Sequence, residues 1–309
     1  MGVLVTIVAI AISASAGVAA EQRWPATAVS WARRLLVISL YTLIPFVVFF
    51  NLDRAHLNAD LAGGLVTGWV AILSAVGLAW VAGSRLLRLA RPSTGTLIST
   101  TAVPNSGYLG YPLTASLLGF HALGQAVVYD VIVVSPCLLL IAFGAGASFG
   151  TRAGESPRER AIAFFTRNPP LYAAIAAVIA PASFAPDVLV DISRGMVIAL
   201  LPIGFFAVGA VLAEEAEEGT LELGSPFSPP IRAAILLRLA IAPGLLLLLS
   251  LPFIDLPGPY LLLAAMPCGV NSLLVSHVYG LDAKLAAQAV AWTTSIAVFA
   301  ALIAQAIWG

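Results

Sequence analysis

The chain has 309 residues, 60% of them hydrophobic and 10% charged, and a mean hydropathy of +1.00, whereas a soluble domain carries about 25% charged residues. Its formal net charge is zero, which removes any electrostatic case for nucleic acid or for an anionic surface as partner. Such a composition belongs to an all-α polytopic membrane protein with the lipid bilayer as its solvent.

A hydrocarbon core of about 30 Å takes roughly 20 apolar residues per helix, and on that scale ten spans are predicted along the chain. Span 1 covers 3–20. Its SASAGVAA end has the small residues of a signal-peptide cleavage site, but no Lys or Arg precedes Arg23, so a retained span is expected. Spans 2 and 3 cover 34–52 and 61–83. Span 4, 94–119, contains the breaker-rich AVPNSGYLGYP, and span 5, 123–148, contains Asp130. Spans 6 to 10 cover 168–185, 188–213, 229–251, 258–279 and 284–308. These segments lack the alternation of membrane β-strands, which excludes a barrel.

The basic residues fall in alternate loops. Arg23, Arg33 and Arg34 follow span 1; Arg85, Arg88 and Arg91 follow span 3; Arg152, Arg158, Arg160 and Arg167 follow span 5; Arg232 and Lys284 follow spans 7 and 9. The opposite side holds only Arg54 and Arg194, and Arg238 lies inside span 8. By the positive-inside rule the arginine-rich side is cytoplasmic, so both termini are expected outside the cytoplasm of a multi-pass cell (inner or plasma) membrane protein. Cys137 and Cys268 both lie within spans, which gives no support to a disulfide or a thiolate metal site. No metal or other cofactor is expected.

The sequence repeats itself. AVPNSGYLGYPLTASLLGFHALGQAV (102–127) aligns without a gap on AMPCGVNSLLVSHVYGLDAKLAAQAV (265–290), and LIPFVVFF (43–50) resembles LLPIGFFA (200–207). The first five spans (1–150) would thus recur as the last five (168–309), joined by a cytoplasmic connector at 151–167. Five is odd, so the second copy crosses the membrane in the opposite sense, giving two inverted five-helix repeats.

Proline removes a backbone donor and clashes with the carbonyl four residues earlier. Single prolines in spans, such as Pro45, Pro136, Pro202 and Pro243, are expected to kink their helices, with Pro45 and Pro202 in matching repeat positions as hinges. Pro104, Gly107, Gly110 and Pro112 leave no room for a continuous helix, and Pro267, Gly269, Asn271 and Ser272 repeat the pattern. Helices 4 and 9 are therefore predicted to be interrupted and to cross near the midplane, where their half-helix ends form a site. Asn105, Ser106, Asn271 and Ser272 are good N-cap residues whose side chains can bond a carboxylate.

NSGYLGYP at 105–112 resembles the N-x-G-x-x-G-x-P signature of the auxin efflux carrier family of membrane transporters. Asn168-Pro169-Pro170, Leu201-Pro202 with Gly209, and Pro267 with Tyr279-Gly280 fall in that family's order, so the resemblance covers essentially the whole chain. It implies ten helices in two inverted halves, crossed broken helices 4 and 9, and an organic anion carried by an elevator movement of a transport bundle against a scaffold. It also makes Asn105, Asn271 and the backbone around Pro104 and Pro267 substrate-contacting. Plant members have a long loop between halves and this chain has a short one, which argues against auxin itself. Prokaryotic-type members of similar length are associated with small carboxylates such as malonate.

Three ionisable residues lie in or near this region. A buried Asp130 either takes up a proton or holds the break in helix 4. Arg238, inside span 8, is expected to snorkel to the cytoplasmic surface rather than to pair with a substrate carboxylate or Asp130. His277 is placed in the second half of span 9, and the acidic run at 214–218 is expected to be a solvated loop end. The expected function is a secondary active or facilitative transporter of a small organic anion, not an enzyme, with H+ or Na+ as the coupling ions and a homodimer as the assembly to test. The rival readings are a sodium- or proton-coupled carrier of the bile-acid symporter or cation/proton antiporter type, and an intramembrane enzyme. The neutral Asn and Ser at both breaks favour an anion over a bare cation.

Overall fold

The structure is a computed structural model and describes residues 3–52, 59–152, 158, 159, 162, 166, 168–217 and 225–308. Arg54, Arg160, Arg167, Glu218 and most of the connector at 151–167 lie outside the described residues.

Apolar runs of this length satisfy their backbone only as helices, since lipid offers no hydrogen bonds. The described residues accordingly form helices and no named strands. Helix α1 is Val3–Arg23, α2 Pro25–Leu52 and α3 Ala59–Leu86. The first half of span 4 is α4, Arg91–Ala102, and its second half is α5, a π turn at Ser106–Gly110 continued by Tyr111–Leu117. Helix α6 is Phe120–Phe149, α7 Pro169–Ile179, α8 Asp187–Glu217 and α9 Pro229–Ser250. Span 9 is α10, Gly258–Ala264, and α11, Asn271–Tyr279; α12 is Ala283–Trp308.

Seven of these helices, α1, α2, α3, α6, α8, α9 and α12, are long and apolar enough to cross a membrane. Two expected spans, 2 and 6, differ in extent. The α2 helix begins at Pro25, nine residues earlier than expected, so Arg33 and Arg34 lie within it rather than in a loop. Span 6 is helical over only Pro169–Ile179, with a 3-10 turn at Ala182–Phe184. Spans 4 and 9 are each divided into two short helices.

Pro45, Pro112, Pro136 and Pro243 share one local device. The residue before each proline, Ile44, Tyr111, Ser135 and Ala242, donates its N–H five residues back, to Ser39, Asp130 for Ser135, Ser106 for Tyr111 and Leu237 for Ala242. This wider turn makes room for a ring that would otherwise press on the preceding turn. The expected kinks at Pro45, Pro136 and Pro243 are thus π turns, whereas Pro202 lies inside the long helix α8.

Two sets of close helix pairings flank the broken pair, and a shared apolar core joins α2 and α8 of the first to α3, α6 and α9 of the second. Helix α1 lies along α8, and α7 along α2, with α2 also against α8. The α1–α8 approach is close because Gly17 faces the Phe206 carbonyl and Gly209 faces that of Ala14, leaving no space for a Cβ at either position. In the second group α3 packs on α9, α4 on α12 and α10 on α6. Large apolar side chains such as Val178, Ile179, Leu248 and Leu251 point outward. Helix α4 is the reverse, a Ser- and Thr-rich segment buried at every position from Thr94 to Ala102. Such polarity is tolerated because it faces protein, and the hydroxyls of Ser99, Thr100 and Thr101 donate to carbonyls of their own helix.

Candidate functional site

The two breaks meet. Pro104 and Cys268 form an isolated antiparallel bridge, in which the Asn105 N–H donates to the Pro267 carbonyl at 2.8 Å and the Gly269 N–H donates to that of Val103 at 2.7 Å. Backbone groups that proline and glycine free from their helices are thereby satisfied by the other break, as burial requires. Gly269 permits this approach, for a Cβ there would lie 2.9 Å from the Pro104 carbonyl oxygen and 3.1 Å from a Val103 methyl.

Four helix ends converge on this bridge. The first halves α4 and α10 present unpaired carbonyls, and the second halves α5 and α11 present N–H groups. Each kind of end is met by an opposite charge or a hydroxyl. Arg238, only 1% exposed, donates from Nε to the Met266 carbonyl at 2.8 Å and from Nη1 to that of Thr101 at 3.0 Å. Its Nη2 donates to the Ala264 carbonyl. Arg238 therefore does not snorkel; the carbonyl ends of α4 and α10 hold it inside, where each donor is worth more than in water.

Asp130 answers the other kind of end. Its carboxylate accepts from Ser106 Oγ at 2.5 Å and from Tyr111 Oη at 2.7 Å, so it ties α6 to the first two turns of α5. The carboxylate also faces the positive end of that half-helix. The corresponding tie for the second break is Thr293, 163 residues further on, the separation that also relates Pro104 to Pro267. Thr293 Oγ1 accepts from the Cys268 N–H at 3.1 Å and donates to the Ala289 carbonyl at 2.6 Å.

The expected site residues divide accordingly. Pro104, Asn105, Ser106, Gly110, Pro112, Pro267, Gly269 and Ser272 are buried around the crossing, and Gly107 is half-buried. The Asn105 side chain, 4% exposed, has no hydrogen-bond partner within the described residues, and no side-chain cap bond is made at the start of α5. Ser106 is engaged by Asp130, and Ser272 Oγ donates to the Gly269 carbonyl at 2.7 Å within its own turn. Asn271 is exposed and occupies the first position of α11, one residue after the cap.

His277 is not at the crossing. It lies exposed near the far end of α11, where its carbonyl accepts from Arg152 Nη1 at 2.6 Å. Gly280, at φ +65, ends that helix in the left-handed region, and the carbonyls of Tyr279 and Gly280 accept from the backbone N–H groups of Arg152 and Thr151. Cys137 and Cys268 are buried free thiols.

Tyr111 and Thr293 are the contributors that sequence reasoning missed. Tyr111 is inside the breaker-rich motif, one turn beyond Ser106, and Thr293 stands at the repeat position of Asp130. Both signals were present, the first as a helical spacing and the second as an offset. Among the described residues no group of three or more His, Cys, Asp or Glu side chains is placed to hold a metal ion.

No family model matches the chain. It is similar to an uncharacterized transporter of Methanocaldococcus jannaschii, with 24% identity over 290 residues that cover 90% of this chain and 89% of that protein. A polytopic helical membrane architecture and a transporter relative along nearly the whole length thus stand together.

Proposed function

We propose that this protein is a secondary active or facilitative carrier of a small organic anion, a carboxylate, which it moves by alternating access around the crossing of its two broken helices. The observation that carries this reading is the reciprocal pair of backbone bonds between Val103–Asn105 and Pro267–Gly269. It supports one midplane site built from both breaks, the arrangement that inverted-repeat carriers use. The N–H ends of α5 and α11 favour negative charge. Asn105, with a buried side chain that has no partner among the described residues, and Asn271, exposed at the start of α11, supply the amide donors for the carboxylate.

Ten spans in two inverted halves, 1–150 and 168–309 about a connector at 151–167, are part of the same proposal. The pairings α1 with α8 and α7 with α2 exchange under such a repeat, as do α4 with α12 and α10 with α6. The seven long helices, α7 and the two divided spans account for the ten. The first group of helices is the scaffold in this reading, and the group around α4 and α10 is the moving bundle of an elevator. The protein lies in the cell membrane with both termini outside the cytoplasm, which is supported by contacts among segments on the arginine-rich side: Arg33 with Glu214, Arg91 with the Ser148 carbonyl, and Ser93 with Asp282. The resemblance to auxin efflux carriers points the same way, and the short connector favours malonate-like substrates.

A cation/proton antiporter typically places acidic residues at the crossing. The carboxylate found there is Asp130, and both of its oxygens are taken by Ser106 and Tyr111. Asp130 supports the half-helix in this reading and does not carry the coupling proton. With purified protein in liposomes, uptake of a labelled dicarboxylate is expected and should be lost in Asn105→Ala and Asn271→Ala while folding is kept. Full transport by both variants would remove the crossing as the substrate site.

A further inference from the structure

Among the described residues the buried charged side chains are Glu21, Asp130 and Arg238. Among the described residues Arg238 is the buried arginine. Its hydrogen-bond partners are three backbone carbonyls rather than a carboxylate, whereas Arg33 and Arg194 pair with Glu214 and Asp191. Two of those carbonyls, of Thr101 and Ala264, belong to the last turns of α4 and α10, and the third, of Met266, to the break itself.

The charge arithmetic is simple. Each helix C-terminus carries about half a negative elementary charge, so two that converge present about one. Freed carbonyls of this kind coordinate Na+ or another cation in carriers with broken helices. One guanidinium brings one positive charge, and its planar fork reaches three carbonyls in fixed directions, which a compact ammonium cannot do. The charge is also supplied only once. Helix α3, the repeat mate of α9, has no ionisable residue between Asp60 and Arg85.

We propose that Arg238 is the resident cation of the crossing, filling the place between the two carbonyl-bearing helix ends that a coupling cation would otherwise take. The carbonyl side is then closed to Na+, and the N–H side remains for the anion. The inference rests on the carrier reading above and names its ion requirement: the cycle needs no alkali cation at this point. A small cavity lined by Arg238, Pro104, Tyr129 and Ala264 adjoins the side chain, so truncating the arginine leaves a space of guanidinium size next to the same carbonyls.

The test uses the full chain, wild type, Arg238→Ala and Arg238→Lys. Melting temperature is read in detergent, and uptake of labelled malonate in liposomes, each in sodium chloride and in choline chloride, with and without millimolar guanidinium. Wild type should behave alike in sodium and choline. Arg238→Ala should melt lower and lose uptake in choline, and regain part of both when guanidinium or Na+ is added. A merely structural arginine would lose both without any cation response, and that outcome overturns the proposal. So does a wild type that is stabilised or activated by Na+, a measurement that needs no variant. If Arg238→Ala does not fold, Arg238→Lys decides: a lowered melting temperature that Na+ leaves unchanged is expected, and stabilisation by Na+ overturns it. Absence of malonate uptake by wild type would count against the carrier reading, while the melting series still decides the role of Arg238.

Discussion

Asn105 and Pro267 are joined by a backbone hydrogen bond of 2.8 Å, although 162 positions separate them in the sequence. The return bond from Gly269 to Val103 lies on the other side of the same bridge. This contact decides how both broken helices are held, and the first prediction concerns its closest point.

Gly269→Ala should damage the crossing. Its Cβ would meet the Pro104 carbonyl at 2.9 Å, and that backbone is fixed by the bridge. Overpacking of this kind costs about 1–3 kcal/mol. A lowered melting temperature with uptake reduced beyond the loss of folded protein is the expected result. An unchanged variant would show that the two breaks are not in tight contact.

Tyr111→Phe removes one of the two hydrogen bonds to Asp130 and leaves a similar shape. Bonds to a charged acceptor are worth about 1.5–3 kcal/mol, so the variant should be less stable by that order. Asp130→Asn should be destabilised as well, and the double variant by less than the sum, since both changes remove one shared bond. Additive losses in a thermodynamic cycle would separate the two residues. If Asp130 only supports α5, Asp130→Asn should respond to an imposed pH gradient as wild type does.

At the α1–α8 contact, Gly209→Val should prevent assembly, because the Ala14 carbonyl occupies the space in which any side chain would stand. Close approach through small residues is how helices pack in lipid. The expected readout is a fall in folded, monodisperse protein on size-exclusion chromatography. Normal yield would mean that α1 can be displaced without penalty.

Arg33→Ala is the contrasting case. Its two contacts with Glu214, at 3.0 and 3.3 Å, are made by an arginine that is 64% exposed. Exposed pairs contribute about 0–1 kcal/mol, so melting temperature should hardly move. A large drop would indicate that this end of α2 is packed far more tightly than its exposure implies.

A screen of carboxylates against the detergent-solubilised protein should find compounds that raise its melting temperature, by about 2.7 kcal/mol of added stability at a hundredfold excess over the dissociation constant. Neutral amides of the same acids should have no effect. Equal shifts from acid and amide would contradict an anion site.

Much of the architecture was legible in the sequence. The long helices answer to runs of apolar residues, and the two interruptions to Pro104, Gly107, Gly110 and Pro112 and to Pro267 and Gly269, because chain breakers act on their own few residues. Span 6 was read too long, since apolar composition continues through Ala180 and Phe184 while Pro181 and Pro186 end the regular helix at Ile179. His277 is close to Asn271 in sequence, yet α11 carries it about two turns away from the crossing, to the Arg152 end.

Local chemistry, which length, hydropathy and proline placement record directly, was thus determined by the sequence alone: helices, their breaks, and the neutral Asn residues beside them. What the tertiary structure decided is which group answers each broken end. Arg238 turned inward to the carbonyls of Thr101, Ala264 and Met266, Asp130 took Ser106 and Tyr111, and Thr293 took Cys268. A buried charge or freed backbone group must find its partner through space, and neither hydropathy nor helical period encodes which distant segment will supply it.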